Sequence, residues 1–383
     1  MGGHSRHVLH HVRRVMGRDP DMFTRGVFTR LFALDPDLRD LFPAHMTHLR
    51  EAFFGVIDHT LEVIPADDGH TELVEILAQL GRDHRKFGVL PAHYPLMCRA
   101  LIGEFRELLD GYWDDETEQT VTQAMMLTTG VMRGAAEMAS GPPTWTARVV
   151  EKYRITRDLA VVRLIGDGPL RFSVGQFLEV AIPQWPHEWR HLSPAIPPNP
   201  DGEIEFHVRA IPGGVVSSAI VSTTRVGDVW TLAQNHGTLH IAPGREVLMV
   251  AGGTGLAPLR ALLIEMSKRA DSPSTHIFYG MRYPGELYDL AVLQRIASTN
   301  PWLRITAVSQ ETTDPWWLNS IASPEELGVD HRIGMLPEVV AAERDWSDHQ
   351  ALVVGSPQMV TATRRRLIIA GIRASMIQSD PVY

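Results

Sequence analysis

The chain has 383 residues, which is enough for two or three domains that each bury a core. A formal net charge of −9 argues against a general nucleic-acid binder. The single cysteine, Cys98, excludes an internal disulfide and most cysteine-based metal sites. No apolar run reaches the roughly 18 residues that span a membrane, and the first residues lack the apolar core of a signal peptide. We therefore expect a cytoplasmic protein with no obligatory membrane partner, and its oligomeric state stays open.

The first 140 residues carry helix signals and few strand signals. Asp19-Pro20 and Asp35-Pro36 each combine an N-cap residue with a proline in the first turn of a helix. Apolar residues then recur at helical spacing, as at Val27, Leu31 and Leu34. Six or more short helices of this kind, with no pattern long enough for a regular bundle, fit a globin-like packing.

One histidine falls on the apolar stripe of a predicted helix. The stripe consists of the residues at positions 73, 76, 77 and 80, and His84 comes next on it. A histidine on an inward face must find a partner or stay neutral, and a haem iron is one such partner. Taken alone, the pattern favours a structural histidine bonded to a backbone carbonyl.

Beyond residue 145 the pattern changes to short strands separated by Gly, Pro, Asp and Asn. Strands are predicted at residues 161–165, 177–182, 204–208 and 229–232, which indicates a small β-barrel or sandwich. Arg190-His-Leu-Ser193 follows a strand-like run, and it offers a guanidinium and a hydroxyl to a phosphate.

Glycine-rich turns provide further candidate phosphate sites. Gly213-Gly-Val-Val-Ser217 introduces a short helix, and Gly252-Gly-Thr-Gly255 joins a strand at residues 246–251 to an amphipathic helix. Leu352-Val-Val-Gly-Ser-Pro-Gln-Met359 is a second strand, turn and helix, and both turns would open on the same edge of a parallel sheet. Phosphate sites in tandem suggest two nucleotide cofactors side by side. The strand at residues 275–282 does not end in the usual ribose-binding carboxylate, which leaves NADH against NADPH open.

In their order, the motifs of residues 145–383 resemble those of the ferredoxin-reductase superfamily. The resemblance implies that the second and third motifs bind FAD and that the last two bind NAD(P)H. The motifs are Gly175-Gln-Phe177, Arg190-His-Leu-Ser193, Gly213-Gly-Val-Val-Ser217, Val226-Gly-Asp228, Ala251-Gly-Gly-Thr-Gly-Leu-Ala-Pro258 and Gly355-Ser-Pro-Gln-Met359.

The front of the chain resembles the globin domain of the flavohaemoglobins. Leu38-Arg-Asp-Leu-Phe-Pro43 comes just before a turn, and a helix with Arg50-Glu-Ala-Phe-Phe54 follows it. The resemblance implies a haem b group in this domain. It assigns Phe42 to the porphyrin face, His84 to the iron as proximal ligand, and Tyr94 and Glu137 to proximal hydrogen bonding.

Four positions bear on how this chain would differ from that family. Leu192 stands where the ferredoxin-reductase superfamily has a flavin-contacting tyrosine, and Phe28 and Leu49 stand where flavohaemoglobins have a distal tyrosine and glutamine. By analogy with plant-type ferredoxin reductases, the terminal Tyr383 would stack on the flavin. The apolar distal side argues against nitric oxide dioxygenation and resembles the type II branch of flavohaemoglobins. For that branch, electron donors such as D-lactate are considered.

The expected architecture is an all-α globin at residues 1–140, an all-β FAD-binding barrel at 145–243 and an α/β parallel-sheet NAD(P)-binding domain at 244–383. A short stiff linker at residues 140–144 would join the first two. The residues expected at the cofactors, besides those of the proximal haem side, are Phe28, Leu49, Arg190, His191, Leu192, Ser193, Gly213, Gly214, Val216, Ser217, Gly252, Gly253, Thr254, Gly255, Pro258, Gly355, Ser356, Pro357 and Tyr383.

The function implied is a haem–flavin oxidoreductase. Electrons would pass from NAD(P)H through FAD to a haem iron that meets O₂, NO or another small oxidant. Three alternatives stay open: a dehydrogenase of a hydroxy acid such as D-lactate with haem as acceptor, a gas sensor or haem carrier with a vestigial reductase, and a haem-free reductase. Anaerobic flavin reduction by NADH against lactate separates the first of these from the main hypothesis.

Overall fold

The computed structural model describes residues 3–43, 45–168, 170–237, 239–318 and 323–380, without the side chains of residues 3, 4 and 187. The predicted flavin contact of Tyr383 therefore lies outside the described residues. The chain divides into two compact units, Met1–Pro143 and Thr144–Tyr383. In the described part of the chain, no helix combines the length and the apolar character needed to cross a membrane.

Unit one is helical, as predicted. Asp19 accepts a hydrogen bond from the Met22 amide (2.9 Å), and Asp35 accepts one from the Asp37 amide (3.1 Å), so both predicted N-caps are confirmed. The second of them begins a 3-10 helix rather than an α-helix. The elements are α1 Gly3–Met16, α2 Pro20–Leu34, a 3-10 helix Pro36–Leu41, α3 Thr47–Val63, α4 His70–His84, a 3-10 helix Arg85–Phe87, α5 His93–Leu108 and α6 Asp115–Met138.

Helix α4 packs directly against the long helix α6. Leu73, Leu77 and Gly81 form its buried face, whereas Ile76, predicted on that face, is 38% exposed. A Cβ atom on Gly81 would lie only 2.1 Å from the carbonyl oxygen of Met132 in α6. The backbones of α4 and α6 therefore meet at Gly81, and this close contact sets how near the end of α4 lies to α6.

The first part of unit two is an antiparallel six-stranded sheet in the order β4-β3-β6-β1-β2-β5, with one helix, α7. A bridge between Pro194 and Phe206 brings its two edge strands together, as in a barrel. The four predicted strands are confirmed. Arg190-His-Leu-Ser193, however, does not follow a strand, because its first three residues belong to β4. The elements are β1 Trp145–Arg154, β2 Leu159–Gly166, β3 Phe177–Ile182, β4 Trp185–Leu192, β5 Glu203–Arg209, α7 Val215–Ser222 and β6 Val229–His236.

The second part of unit two is a parallel sheet in the order β10-β9-β8-β7-β11-β12. The chain steps outwards from β7 to β10 and then returns to place β11 on the other side of β7. A ligand crevice is expected where the strand order reverses in this way, at the carboxyl ends of the strands. The elements are β7 Val247–Gly252, α8 Leu256–Met266, β8 Thr275–Met281, α9 Leu290–Thr299, β9 Leu303–Ser309, β10 Asp330–Ile333, α10 Leu336–Glu343, β11 Gln350–Val354, α11 Pro357–Ile369 and β12 Ile377–Gln378, with 3-10 helices at Gly253–Gly255, Pro284–Glu286 and Ala374–Met376.

Candidate functional site

His84 is the last residue of α4, and its imidazole is half-buried. Burial, together with the nearby positive charge of Lys86, lowers the pKa of His84 to about 4, so its ring is neutral at neutral pH. Among the described residues, the ring makes no hydrogen bond. A neutral imidazole with a free nitrogen is the form that binds a metal ion. The structure thus fits the expectation of a haem ligand better than that of a carbonyl-bonded structural histidine.

Tyr94, at the start of α5, lies beside His84. The two ring centroids are 6.3 Å apart with an interplanar angle of 23°. The Tyr94 hydroxyl donates to the carbonyl oxygen of Gly81 at 3.3 Å, and burial raises the pKa of the phenol to about 12. Tyr94 therefore holds the last turn of α4 in place rather than bonding to the imidazole itself.

Glu137 is not brought to His84. It lies on the exposed face of α6, near the end of that helix, and accepts a hydrogen bond from Arg133 at 2.9 Å. The predicted hydrogen-bond partnership of Glu137 with the proximal histidine is therefore absent from the structure. The physical reason is the helical phase, since the buried residues of this turn of α6 are Met132 and Ala136.

The distal positions form an aromatic cluster. Phe28, in α2, is 4% exposed, and its ring centroid lies 5.3 Å from that of Phe42 and 5.1 Å from that of Phe53. Leu49 packs at the edge of the same core. His48 does not enter the cluster, because its side chain is 99% exposed and lies against Glu51. The side chains of this wall carry no hydrogen-bond donor.

Unit two contains a cleft of about 650 Å³ between the barrel and the parallel sheet. One wall comes from the ends of β3, β4 and β5, and the other comes from the turns after β7 and β11. The predicted site residues among its lining are His191, Leu192, Ser193, Gly252, Gly253, Thr254, Gly255, Pro258, Gly355, Ser356 and Pro357.

The flavin motif is only partly directed at this cleft. Arg190 points away from it, donating to the Trp189 carbonyl oxygen at 2.7 Å and pairing with Glu188 at 3.2 Å. His191 lines the cleft, with its ring centroid 4.9 Å from that of Phe177. Because side chains alternate along a strand, Arg190 and His191 fall on opposite faces of β4. Arg190 thus does not line this cleft, and its phosphate contact stays a prediction.

The turn before α7 is built from the residues predicted to hold pyrophosphate. Gly213 adopts a φ of +78°, which favours glycine. The Ser217 hydroxyl donates to the Gly214 carbonyl and accepts from the Ile211 amide, both at 3.4 Å, so it closes the turn. Val216 is wholly buried in the barrel core and does not face a ligand. Any phosphate contact here would come from backbone amides at the start of α7.

The glycine turns after β7 and β11 pack against each other, which agrees with the prediction that both open on the same edge of the parallel sheet. A Cβ atom on Gly255 would lie 2.4 Å from the Val354 carbonyl oxygen, and one on Gly355 would lie 3.2 Å from the Cα of Gly252. Ser356 caps α11 by accepting from the Met359 amide. The glycines therefore let the two turns approach closely, which brings two helix N-termini to one edge of the sheet, the usual environment of a dinucleotide pyrophosphate.

The cleft also contains residues that the sequence did not indicate. His207 and Arg209, from β5, line its wall, and so does Asp380. Burial raises the pKa of Asp380 to about 6, although the charge of nearby His191 opposes the rise. The sequence of β5 is that of an ordinary buried strand. Only the position of this strand next to the flavin motif identifies His207 and Arg209 as cleft residues. Arg209 is a cation at the cleft wall, where Arg190 was expected.

A carboxylate does lie close to the carboxyl end of β8, although it does not belong to that strand. Glu311 follows β9, and its Oε1 atom is 3.9 Å from Nε of Arg282, which lines the cleft. The two strands are neighbours in the sheet, so their carboxyl ends meet at the same edge. This carboxylate lies outside the strand that follows the glycine turn, so the usual motif spacing does not indicate it.

Three family models match the chain, one after another. The globin model covers residues 25–132, the oxidoreductase FAD-binding domain covers 146–241 and the oxidoreductase NAD-binding domain covers 249–365. These matches agree with the observed order of a helical unit, an antiparallel barrel and a parallel sheet. They also assign haem, FAD and NAD(P)H to the three parts in which the residues fit them.

Curated relatives match the reductase part. The xylene/toluene monooxygenase electron transfer component XylA of Pseudomonas putida is 26% identical over 245 residues, which are 63% of this chain and 66% of that protein. The ferredoxin–NAD(P)(+) reductase CarAd of Metapseudomonas resinovorans is 30% identical, over 62% of this chain and 68% of that protein. The chain thus spans about two thirds of the length of these relatives.

A solved structure matches the whole fold. The flavohaemoglobin of Malassezia yamatoensis, determined with FAD and haem bound, superposes with a TM-score of 0.75 at 14% sequence identity. The match covers 99% of this chain and 98% of that one. At this identity the comparison establishes the arrangement of the fold, and the side chains at each site have to be judged on their own geometry.

Proposed function

The chain belongs to the ferredoxin–NAD(P)(+) reductase family over its reductase part and has the domain order of a flavohaemoglobin, and on that premise we propose that it is a haem–flavin oxidoreductase. It would take electrons from NAD(P)H and deliver them through FAD to a haem iron bound by His84. The cleft of unit two carries the proposal, because its wall combines the flavin motif with both glycine turns. Bound FAD supplies the conversion from a two-electron donor to a one-electron acceptor.

In the reductase part, this chain's residues would bind and orient the two nucleotides. The first turns of α8 and α11 lie at the cleft, and the positive ends of their helix dipoles suit a pyrophosphate. Arg209 supplies a positive charge at the wall, and the Ser193 hydroxyl stands at the end of the flavin motif. The imidazole of His191 and the ring of Phe177 offer apolar faces to a planar ring system.

In the globin part, the nature of the distal wall bears on which oxidant reacts. Phe28, Phe42 and Leu49 offer no hydrogen bond to a diatomic ligand. A buried hydrogen bond to such a ligand is worth about 1 kcal/mol or more, so its absence weakens retention of O₂. We therefore propose that this apolar wall favours electron transfer to a small oxidant such as O₂ or NO over retention of O₂, with nitric oxide dioxygenation a poor activity.

The experiment is a comparison of His84→Ala with His48→Ala. His48 is a matched control, because it is a histidine of the same unit with a fully exposed ring. We expect His84→Ala to lose haem absorption and NADH-dependent reduction of haem, while FAD content and ferricyanide reduction by NADH stay within about two-fold of the wild type. His48→Ala should behave as wild type. A haem spectrum that is unchanged in His84→Ala would overturn the assignment of His84 as the ligand, and wild-type protein without haem absorption would favour a haem-free reductase.

A further inference from the structure

Arg260 is a buried cation that faces both parts of the reductase. It lies in α8, one turn after the glycine turn, and is 8% exposed. Its Nη1 atom donates to Glu205 Oε1 at 2.7 Å and to the Ala195 carbonyl oxygen at 2.9 Å. Its Nε atom lies 2.8 Å from Oδ2 of Asp289. Charged side chains are almost never buried unless they are paired, and Arg260 is paired with two carboxylates.

On the barrel side, Arg260 contacts the stretch of backbone that carries the flavin motif. Ala195 comes two residues after Ser193, and its amide donates to the carbonyl oxygen of Glu205 at 2.8 Å. The Glu205 side chain is 2% exposed and also accepts from Arg163 at 2.6 Å. Burial opposes its ionisation, but the hydrogen bond with His207 and the charge of Arg260 lower the pKa of Glu205 to about 2. The pair is therefore fully charged at neutral pH.

On the side of the parallel-sheet domain, Arg260 contacts Asp289. Asp289 has a left-handed backbone with a φ of 58° and stands directly before α9, in the loop that follows β8. Its neighbour Tyr288 places its hydroxyl 3.1 Å from Nδ1 of His207 in the barrel. Arg260 thus donates from one nitrogen to the barrel and holds another at ion-pair distance from Asp289 in its own domain. The contact between Tyr288 and His207 joins the same two parts.

We propose that Arg260 is a positioning residue that sets the glycine turn at a fixed distance from the flavin motif. This inference rests on the proposed function. The reaction it serves moves a hydride with its two electrons from C4 of the dihydronicotinamide to N5 of the flavin, oxidising the first and reducing the second. Such a transfer needs the reacting atoms about 3–3.5 Å apart, and a displacement of about 1 Å can cost 100-fold in rate. Arg260 acts through the backbone, because it does not belong to the residues that line the cleft.

The test compares Arg260→Lys with Arg163→Lys. Lysine keeps the charge but has a single nitrogen, so it cannot reach the barrel and Asp289 together. Arg163 contacts the same Glu205 carboxylate, but it does so from β2 within the barrel, so its replacement leaves the link between the two parts intact. Both variants are made in the full chain with haem and FAD bound.

Stopped-flow flavin reduction gives the first measurement. In Arg260→Lys, the rate at saturating NADH should fall roughly 10- to 100-fold, while the dissociation constants of FAD and NADH stay within about three-fold. Arg163→Lys should change neither. A purely structural role would weaken both dissociation constants along with the rate. Equal rates in Arg260→Lys and wild type would overturn the proposal.

Amide hydrogen exchange, measured without NADH, is independent of turnover. Arg260→Lys should exchange faster in the first turn of α8 and around Ala195, and Arg163→Lys should not. If Arg260→Lys fails to retain FAD, the isosteric Glu205→Gln weakens the barrel side of the contact and should give the same separation of rate from affinity. Unchanged exchange and rate in Glu205→Gln would also count against the inference. Wild-type flavin that NADH does not reduce would contradict the proposed function instead, so the two failures are distinguishable.

Discussion

Gly81 offers a direct test of how the haem-binding helix is held. In Gly81→Ala the new Cβ would lie 2.1 Å from the Met132 carbonyl oxygen, whereas real Cβ atoms essentially never approach within 3.0 Å. Helices α4 and α6 would therefore have to separate by about 0.9 Å, the difference between these two distances. Overpacking of this kind costs roughly 1–3 kcal/mol, and the better helix propensity of alanine returns at most about 1 kcal/mol.

We expect a net loss of about 1–2 kcal/mol in the free energy of unfolding of unit one, which lowers its Tm by several degrees. The shift also moves His84, three residues further along α4, and disturbs the bond from Tyr94 to Gly81. Haem retention should therefore fall as well. Thermal unfolding followed by circular dichroism and by haem absorption measures both effects.

Gly130→Ala is the matched control, because Gly130 lies in α6 with open space around its Cβ position. It should leave haem binding unchanged and raise stability by up to about 1 kcal/mol. The contradicting result is a Gly81→Ala variant that is as stable as Gly130→Ala and keeps its haem equally well. That result would mean that α4 and α6 do not meet at Gly81.

Three further changes test other parts of the account. Gly255→Ala should weaken NADH binding at least about ten-fold, while FAD is retained. The new Cβ would lie 2.4 Å from the Val354 carbonyl oxygen and would force the two glycine turns apart. Equilibrium titration measures the dissociation constant of NADH. Burial raises the pKa of Asp380 from its ordinary 3.8 to about 6, so the native state holds more protons in that interval. Stability should then fall as the pH rises from about 4 to 6, and Asp380→Asn should remove that slope in urea unfolding. Phe28→Tyr adds a donor to the distal wall and should raise the affinity of the reduced protein for O₂ about ten-fold in flash photolysis, whereas an unchanged affinity would show that Phe28 does not face the ligand.

Local patterns predicted the parts of this fold that depend on local forces. The N-cap of Asp19, the burial of Leu73 and Leu77 on the helix that ends in His84 and the glycine turn at residues 252–255 all follow from spacing and backbone freedom. Strand β4 was not predicted because Trp185–Leu192 lacks apolar alternation, and its pairing with β3 is what makes it a strand.

The unpredicted site residues depend on partners distant in the sequence. Arg260 meets a carboxylate 55 positions earlier, and His207 meets a tyrosine 81 positions later. Nothing in the neighbouring sequence marks either residue. Glu137 shows the opposite error, since a position assigned by resemblance falls on the exposed side of α6 once the helical phase is fixed.

The most direct test of the central claim is an anaerobic absorption spectrum of the purified protein under carbon monoxide, recorded before and after NADH is added. We predict bleaching of the flavin and a shift of the haem Soret band to the carbon monoxide form, because haem, FAD and nicotinamide would act as one electron-transfer chain. Haem that stays ferric after NADH is added would contradict the account. The same spectrum after addition of D-lactate would then show whether a hydroxy acid is the donor.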